Sequence, residues 1–193
     1  FKQGKVDFLP SEELKAALKE RGLSDNEMLS VMAEAERDYV LHFDSRSFIL
    51  ESNVVLGCGS GEVLRMADMA FLRPDKNVVV AEPTFEAVLG YARVTRAEAV
   101  KVPLTADFRH DLPAMAAACN ANTGLVYLCN PNNPTGTIVR RDELVAFFQK
   151  VPQSAVILVD EAYFHFVEDP GYASAFEWVG KMPNLLAVRT FSK

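Results

Sequence analysis

The sequence predicts an α/β fold, a three-layer αβα sandwich built on a mostly parallel sheet, and three observations predict it. From Asn53 onward, short runs rich in β-branched residues alternate with helical patterns. The run Val156, Ile157, Leu158 and Val159 is unbroken and apolar, as a strand buried on both faces of a parallel sheet must be. It stops abruptly on Asp160 and Glu161. In open α/β sheets the carboxyl ends of the strands form the ligand crevice, and a buried charge is costly without a partner. Asp160 is therefore expected to face a cationic partner there, although taken alone it reads equally well as the cap of the next segment.

The elements follow in order. Ser11 to Gly22 reads as a helix with Ser11 as N-cap, acids in the first turn and glycine as terminator. Ser24 and Glu27 have capping-box spacing and open a second helix, expected to run to about Leu41. Both read as packing elements. The alternating region comprises strand Val54–Leu56, helix Val63–Leu72, strand Val78–Ala81, helix Phe85–Val94, strand Ala99–Val102 and helix Leu112–Asn120. Strand Leu125–Cys129, helix Arg140–Lys150, strand Ser154–Val159 and strand Leu185–Arg189 complete it.

Composition narrows the function classes. A net charge of −6 argues against a general nucleic-acid or anionic-membrane surface, while leaving room for a local phosphate site. No apolar run approaches a membrane span, and no basic stretch followed by an apolar one opens the chain, so a cytoplasmic protein is expected. Cys58, Cys119 and Cys129 are widely spaced in apolar or small-residue surroundings and read as reduced core thiols. His42, His110 and His165 have no metal-ligand spacing, and no metal is expected.

Four loops at strand ends carry the candidate chemistry. Gly57-Cys58-Gly59-Ser60-Gly61-Glu62 joins a strand to a helix start, where N–H groups and a hydroxyl can meet a phosphate. Its glycines have neither Walker nor dinucleotide spacing, so a plain turn fits as well. In Glu82-Pro83-Thr84-Phe85, Thr84 can cap the following helix. Phe85 can stack on a flat ligand or simply fill the helix's first turn. Asn130-Pro131-Asn132-Asn133-Pro134-Thr135-Gly136 fixes its backbone with two prolines and a glycine while presenting amides that donate and accept. In Arg189-Thr190-Phe191-Ser192-Lys193, Lys193 reads as a Schiff-base nucleophile or as a solvated lysine.

Together, NPNNPTG, DEAYFHF and RTFSK, in this order and spacing, resemble the aminotransferase class I/II family of fold type I pyridoxal-phosphate enzymes. GSGE and EPTF are most similar to its histidinol-phosphate aminotransferase branch. The resemblance covers roughly residues 53–193. It implies a pyridoxal 5'-phosphate-binding large domain over 53–193, reaching the Schiff-base lysine but not a C-terminal small domain, after an N-terminal helical segment, 1–52. It implies that Lys193 bonds to the cofactor and shuttles protons, and that Asp160 holds the pyridine nitrogen protonated. Asn133 and Tyr163 would hydrogen-bond the ring's phenolic oxygen, with Phe85 stacked on one ring face and Ala162 against the other. Ser60, Gly61 and Glu62 would hold the phosphate, joined by Thr190 and Ser192. The NPNNPTG loop further implies a cis Asn133–Pro134 bond. The expected reaction moves an amino group between an amino acid or amine, histidinol phosphate among them, and a 2-oxo acid, in a homodimer serving amino-acid biosynthesis. A decarboxylase or lyase on the same scaffold, or a non-catalytic protein that keeps the fold, stays open. The family's Asn-Glu-Asn-Pro-like segment is not found before Ser11, and Tyr39 lacks the spacing of the tyrosine that a neighbouring subunit supplies.

Overall fold

The computed structural model describes residue 55 and residues 57–191. The two helices expected over 11–22 and 24–41, most of the strand expected over 54–56, and Ser192 and Lys193 lie outside the described residues. Val55, from that strand, is 63% exposed and pairs with no strand among the described residues.

Nine elements position the site. They are helix α1 (Ser60–Phe71), strand β1 (Asn77–Glu82), helix α2 (Ala87–Thr95) and strand β2 (Glu98–Pro103). Helix α3 (Leu112–Ala118), strand β3 (Thr123–Cys129), helix α4 (Arg141–Phe148), strand β4 (Val156–Asp160) and strand β5 (Leu185–Val188) follow. Two 3-10 turns, Phe164–Phe166 and Ala175–Glu177, lie between β4 and β5. The sheet order is β2-β1-β3-β4-β5, and every pairing is parallel.

Alternation along the strands divides the core between two faces. Val79, Ala81, Val126, Leu128, Ile157 and Val159 pack with Leu112 and Met115 of α3 and Leu144 and Phe147 of α4. Val78, Val80, Leu125, Tyr127 and Leu158 pack with Leu64 and Ala67 of α1 and Val88 and Ala92 of α2. This is the three-layer arrangement, with all of β3 buried because both of its faces are covered. Gly124 near the start of β3 is sterically required, since a Cβ there would lie 2.2 Å from the carbonyl oxygen of Phe71, at the end of α1. That contact fixes the carboxyl end of α1 at the amino edge of the sheet. The helix's amino end, Ser60–Glu62, therefore points toward the opposite, carboxyl edge.

Two expectations need correction. Thr84 does not cap α2: its hydroxyl donates to Asn132 Oδ1 at 2.7 Å, and the helix begins later, after Glu86. The cysteines are free, but they are not all core thiols: Cys58 is exposed, Cys119 half-buried and Cys129 buried. Cys58 sits in the turn before α1 between Gly57 and Gly59, which offer no side chain to cover it. Among the described residues, no helix is long and apolar enough to cross a membrane.

Candidate active site

Every loop singled out in the sequence, apart from the glycine turn, leaves the carboxyl end of a strand. Phe85 follows β1, Asn133 follows β3, Ala162 and Tyr163 follow β4, and Thr190 follows β5. These four strands are neighbours in the sheet, so parallel pairing brings their ends to one edge.

Side chains tie the loops together. Thr84 links the β1 loop to Asn132 of the β3 loop, and Asn132 Nδ2 returns a hydrogen bond to the Pro83 carbonyl at 3.2 Å. Asn130, fully buried, accepts from Val139 N–H at 2.8 Å and donates to the Val139 carbonyl at 3.2 Å, closing the NPNNPTG segment into a loop. The Asn133–Pro134 bond is cis, as expected, and so are Glu82–Pro83 and Asn130–Pro131. Across the strands, Asn130 N–H donates to the Asp160 carbonyl at 2.9 Å and Glu161 N–H to the Val188 carbonyl at 2.8 Å.

Asp160 is 2% exposed. Its Oδ2 accepts from the Tyr127 hydroxyl at 2.9 Å and its Oδ1 from Ala162 N–H at 3.0 Å. Burial pushes the Tyr127 phenol well above its ordinary value, so it stays a protonated donor. Burial likewise pushes the Cys129 thiol up to about 12, leaving a neutral S–H beside Asp160. Phe85 is 37% exposed, which leaves ring surface for a ligand. Asn133, Tyr163 and Thr190 are half-buried, and Ala162 is buried. An open depression of about 920 Å³ includes Asn133 and Tyr163 in its walls, with Arg109 and Arg140, but not Asp160 or Phe85.

At the glycine turn, Gly59 holds φ at 81°, where glycine is favoured, and no side chain caps α1. The first N–H groups of a helix have no intrahelical acceptor and are suited to an anion. The Glu62 carboxylate turns back to accept from Cys58 N–H at 2.6 Å, so Glu62 can serve an anion only through its backbone.

Glu161 goes elsewhere. It is fully buried and accepts from Ser174 Oγ at 2.7 Å, from Ala175 N–H, and from Arg189 Nη2 at 3.1 Å. Burial raises its pKa while these donors oppose the rise. The Arg189 guanidinium lies over the Phe164 ring, 3.5 Å from its centroid, and 4.4 Å from that of Phe176.

The motifs did not reveal Tyr127 or the pairing of Glu161 with Arg189, whereas Asn132 uses its amide both to accept and to donate, as its loop promised. A signal for Tyr127 was present: a tyrosine in a strand covered on both faces needs a partner for its hydroxyl.

The profile of the aminotransferase class I and II family matches residues 1–193. The chain belongs to that family. It is 43% identical over 155 residues to histidinol-phosphate aminotransferase of Brevibacillus brevis, covering 79% of this chain and 42% of that protein. It is also 43% identical over 140 residues to aromatic amino acid aminotransferase of Corynebacterium diphtheriae, covering 72% and 41%. The crystal structure of histidinol-phosphate aminotransferase from Sinorhizobium meliloti in complex with pyridoxal-5'-phosphate has a similar fold, with a TM-score of 0.66. There the identity is 29%, over 71% of this chain and 37% of that one. The chain thus spans about two fifths of the length of the curated relatives named here. Its donor set suits the family's cofactor: a buried acid for a pyridine nitrogen, an aromatic face for a ring, and uncapped N–H groups for a phosphate.

Proposed function

We propose that this chain is the large, cofactor-binding domain (residues 53–193, after a helical segment 1–52) of a pyridoxal-phosphate-dependent aminotransferase. It moves an amino group between an amino acid or amine and a 2-oxo acid, and histidinol phosphate is the first amine to test. The observation that carries this reading is Asp160, a carboxylate kept buried at a strand's carboxyl end in a chain of this family. An apolar residue would be cheaper to bury there, so the acid has a use.

Bound pyridoxal phosphate supplies an electron sink for the substrate's amino carbon. Asp160 holds the ring nitrogen. Phe85 and Ala162 enclose the ring, and Asn133 and Tyr163 hydrogen-bond its oxygen. The backbone of Ser60, Gly61 and Glu62 holds the phosphate, with Thr190 and Ser192. Lys193 carries the cofactor and moves the proton on and off the amino carbon. The protein works as a homodimer in the cytoplasm, in amino-acid biosynthesis.

The full-length protein tests this with added pyridoxal phosphate, a 2-oxo acid, and either histidinol phosphate or phenylalanine. Amino transfer should occur with one of the two donors and vanish in Lys193→Ala. Asp160→Ala should weaken cofactor binding at least tenfold, the loss of a charge-assisted contact of about 1.4 kcal/mol or more. Release of carbon dioxide without amino transfer would make it a decarboxylase. A wild-type protein that binds no pyridoxal phosphate would make it a non-catalytic member of the family.

A further inference from the structure

We propose that Tyr127 is a positioning residue for Asp160, its buried hydroxyl fixing one carboxylate oxygen and favouring the ionised form. The functional meaning of this contact rests on the reading above; the contact itself does not. Tyr127 is fully buried within β3, and its hydroxyl donates to Asp160 Oδ2 at 2.9 Å. Parallel register pairs Tyr127 with Leu158 and Cys129 with Asp160. Side chains two residues apart share a face, so the long phenol reaches along its own face to the acid. Phenylalanine would fill the same space among Leu125, Leu158 and Leu64. What tyrosine adds is one donor facing one acceptor.

A hydrogen bond to the charged form of an acid favours that form, whereas burial favours the neutral one. Tyr127 therefore acts on Asp160 with the opposite sign to its surroundings. The Ala162 N–H acts with it on the other oxygen. Among the described residues, the Tyr127 phenol and the Cys129 thiol of β3 face this carboxylate, and burial holds both neutral. Where Asp160 shares a proton with a ring nitrogen, a donor on Asp160 makes it the weaker base and leaves the proton on nitrogen.

The test uses the full-length protein as wild type, as Tyr127→Phe, and with 3-fluorotyrosine at position 127. Without cofactor, the ¹³C resonance of the Asp160 carboxyl is titrated. The midpoint should rise by about one pH unit or more in Tyr127→Phe, the tenfold change expected for a lost hydrogen bond to a charge. It should fall with 3-fluorotyrosine, a stronger donor. Equal midpoints, or shifts of one sign in both replacements, would overturn the proposal, because a packing defect has no reason to change sign. Should Tyr127→Phe not fold, the fluorotyrosine protein decides alone. With ¹⁵N-labelled pyridoxal phosphate bound, the ring-nitrogen resonance should move toward neutral pyridine in Tyr127→Phe. An unchanged resonance would overturn the link to the cofactor. If wild type binds no pyridoxal phosphate while the carboxyl midpoint still responds, the function above falls and the Tyr127–Asp160 link stands.

Discussion

Asp160 and Glu161 are adjacent in sequence and finish in different company. Asp160 is the last residue of β4 and shares a face with Tyr127, while Glu161, the next residue along, meets Ser174 and Arg189. The sequence displayed two acids at the end of a core strand, which was enough to mark the place. It did not display their division, because Arg189 lies 28 residues downstream of Glu161 and only the β4–β5 pairing brings it back. The pair is buried on the acid's side, so removing the arginine leaves a buried carboxylate with neutral donors, Ser174 and Ala175, but without its opposite charge. Arg189→Met is expected to destabilise the protein by about 3–5 kcal/mol, and Glu161→Gln in that background should recover part of the loss. Urea unfolding of the four proteins of this cycle measures it. Purely additive losses would show that the two side chains act independently.

At the scale of elements, strands were easier to read than the ends of helices. β-branched runs located β1, β3 and β4 to within two residues, because burial on both faces leaves little choice of side chain. Helix α2 starts two residues later than expected, since Thr84 spends its hydroxyl on another loop. Helix α1 holds a feature its periodicity concealed. Asp68 shares the buried face of Leu64 and Ala67, is fully buried, and neither carboxylate oxygen has a hydrogen-bond partner among the described residues. Burial pushes its pKa up to about 7 from 3.8. Between those values the folded state binds more protons than the unfolded one, so this residue's contribution to stability falls as pH rises. It is fully present below about pH 4 and lost as pH climbs through about 7. Asp68→Leu should therefore stabilise the protein at pH 8 by about 2–4 kcal/mol and by much less at pH 4. Thermal unfolding across that range checks it; a gain of equal size at both values would assign the effect to packing alone.

For the whole molecule, the parallel sheet makes the two edges unequal. On the carboxyl edge, loops from β1, β3, β4 and β5 are cross-linked by Thr84, Asn130, Asn132, Glu161 and Arg189. On the amino edge the connections are short and exposed, as at Gln153 and Ser154 before β4. Motif spacing made the first edge legible, since a ligand site demands particular residue types. The second edge has no such demand and reads only as turns.

That inequality bears on how such a chain can change over generations. Lengthening a loop costs little in closure entropy, about 0.6 kcal/mol per doubling, so what decides tolerance is what the loop is tied to. New sequence can accumulate on the amino edge without disturbing the residues that face a ligand, whereas the opposite edge admits almost none. A five-residue Gly/Ser insertion between Gln153 and Ser154 of the full-length protein should leave pyridoxal phosphate affinity within about twofold of wild type, well under the tenfold that 1.4 kcal/mol would produce. The same insertion between Thr135 and Gly136 should abolish binding, because the bond it parts, Gly136 N–H to the Asn132 carbonyl at 2.8 Å, closes the loop that carries Asn133, whereas the Ala155 N–H to Pro152 carbonyl bond parted at the other site closes a turn on the amino edge. Equilibrium dialysis of the two proteins compares the edges, and equal losses at both would mean that the whole sheet, rather than one side of it, is closed to insertion.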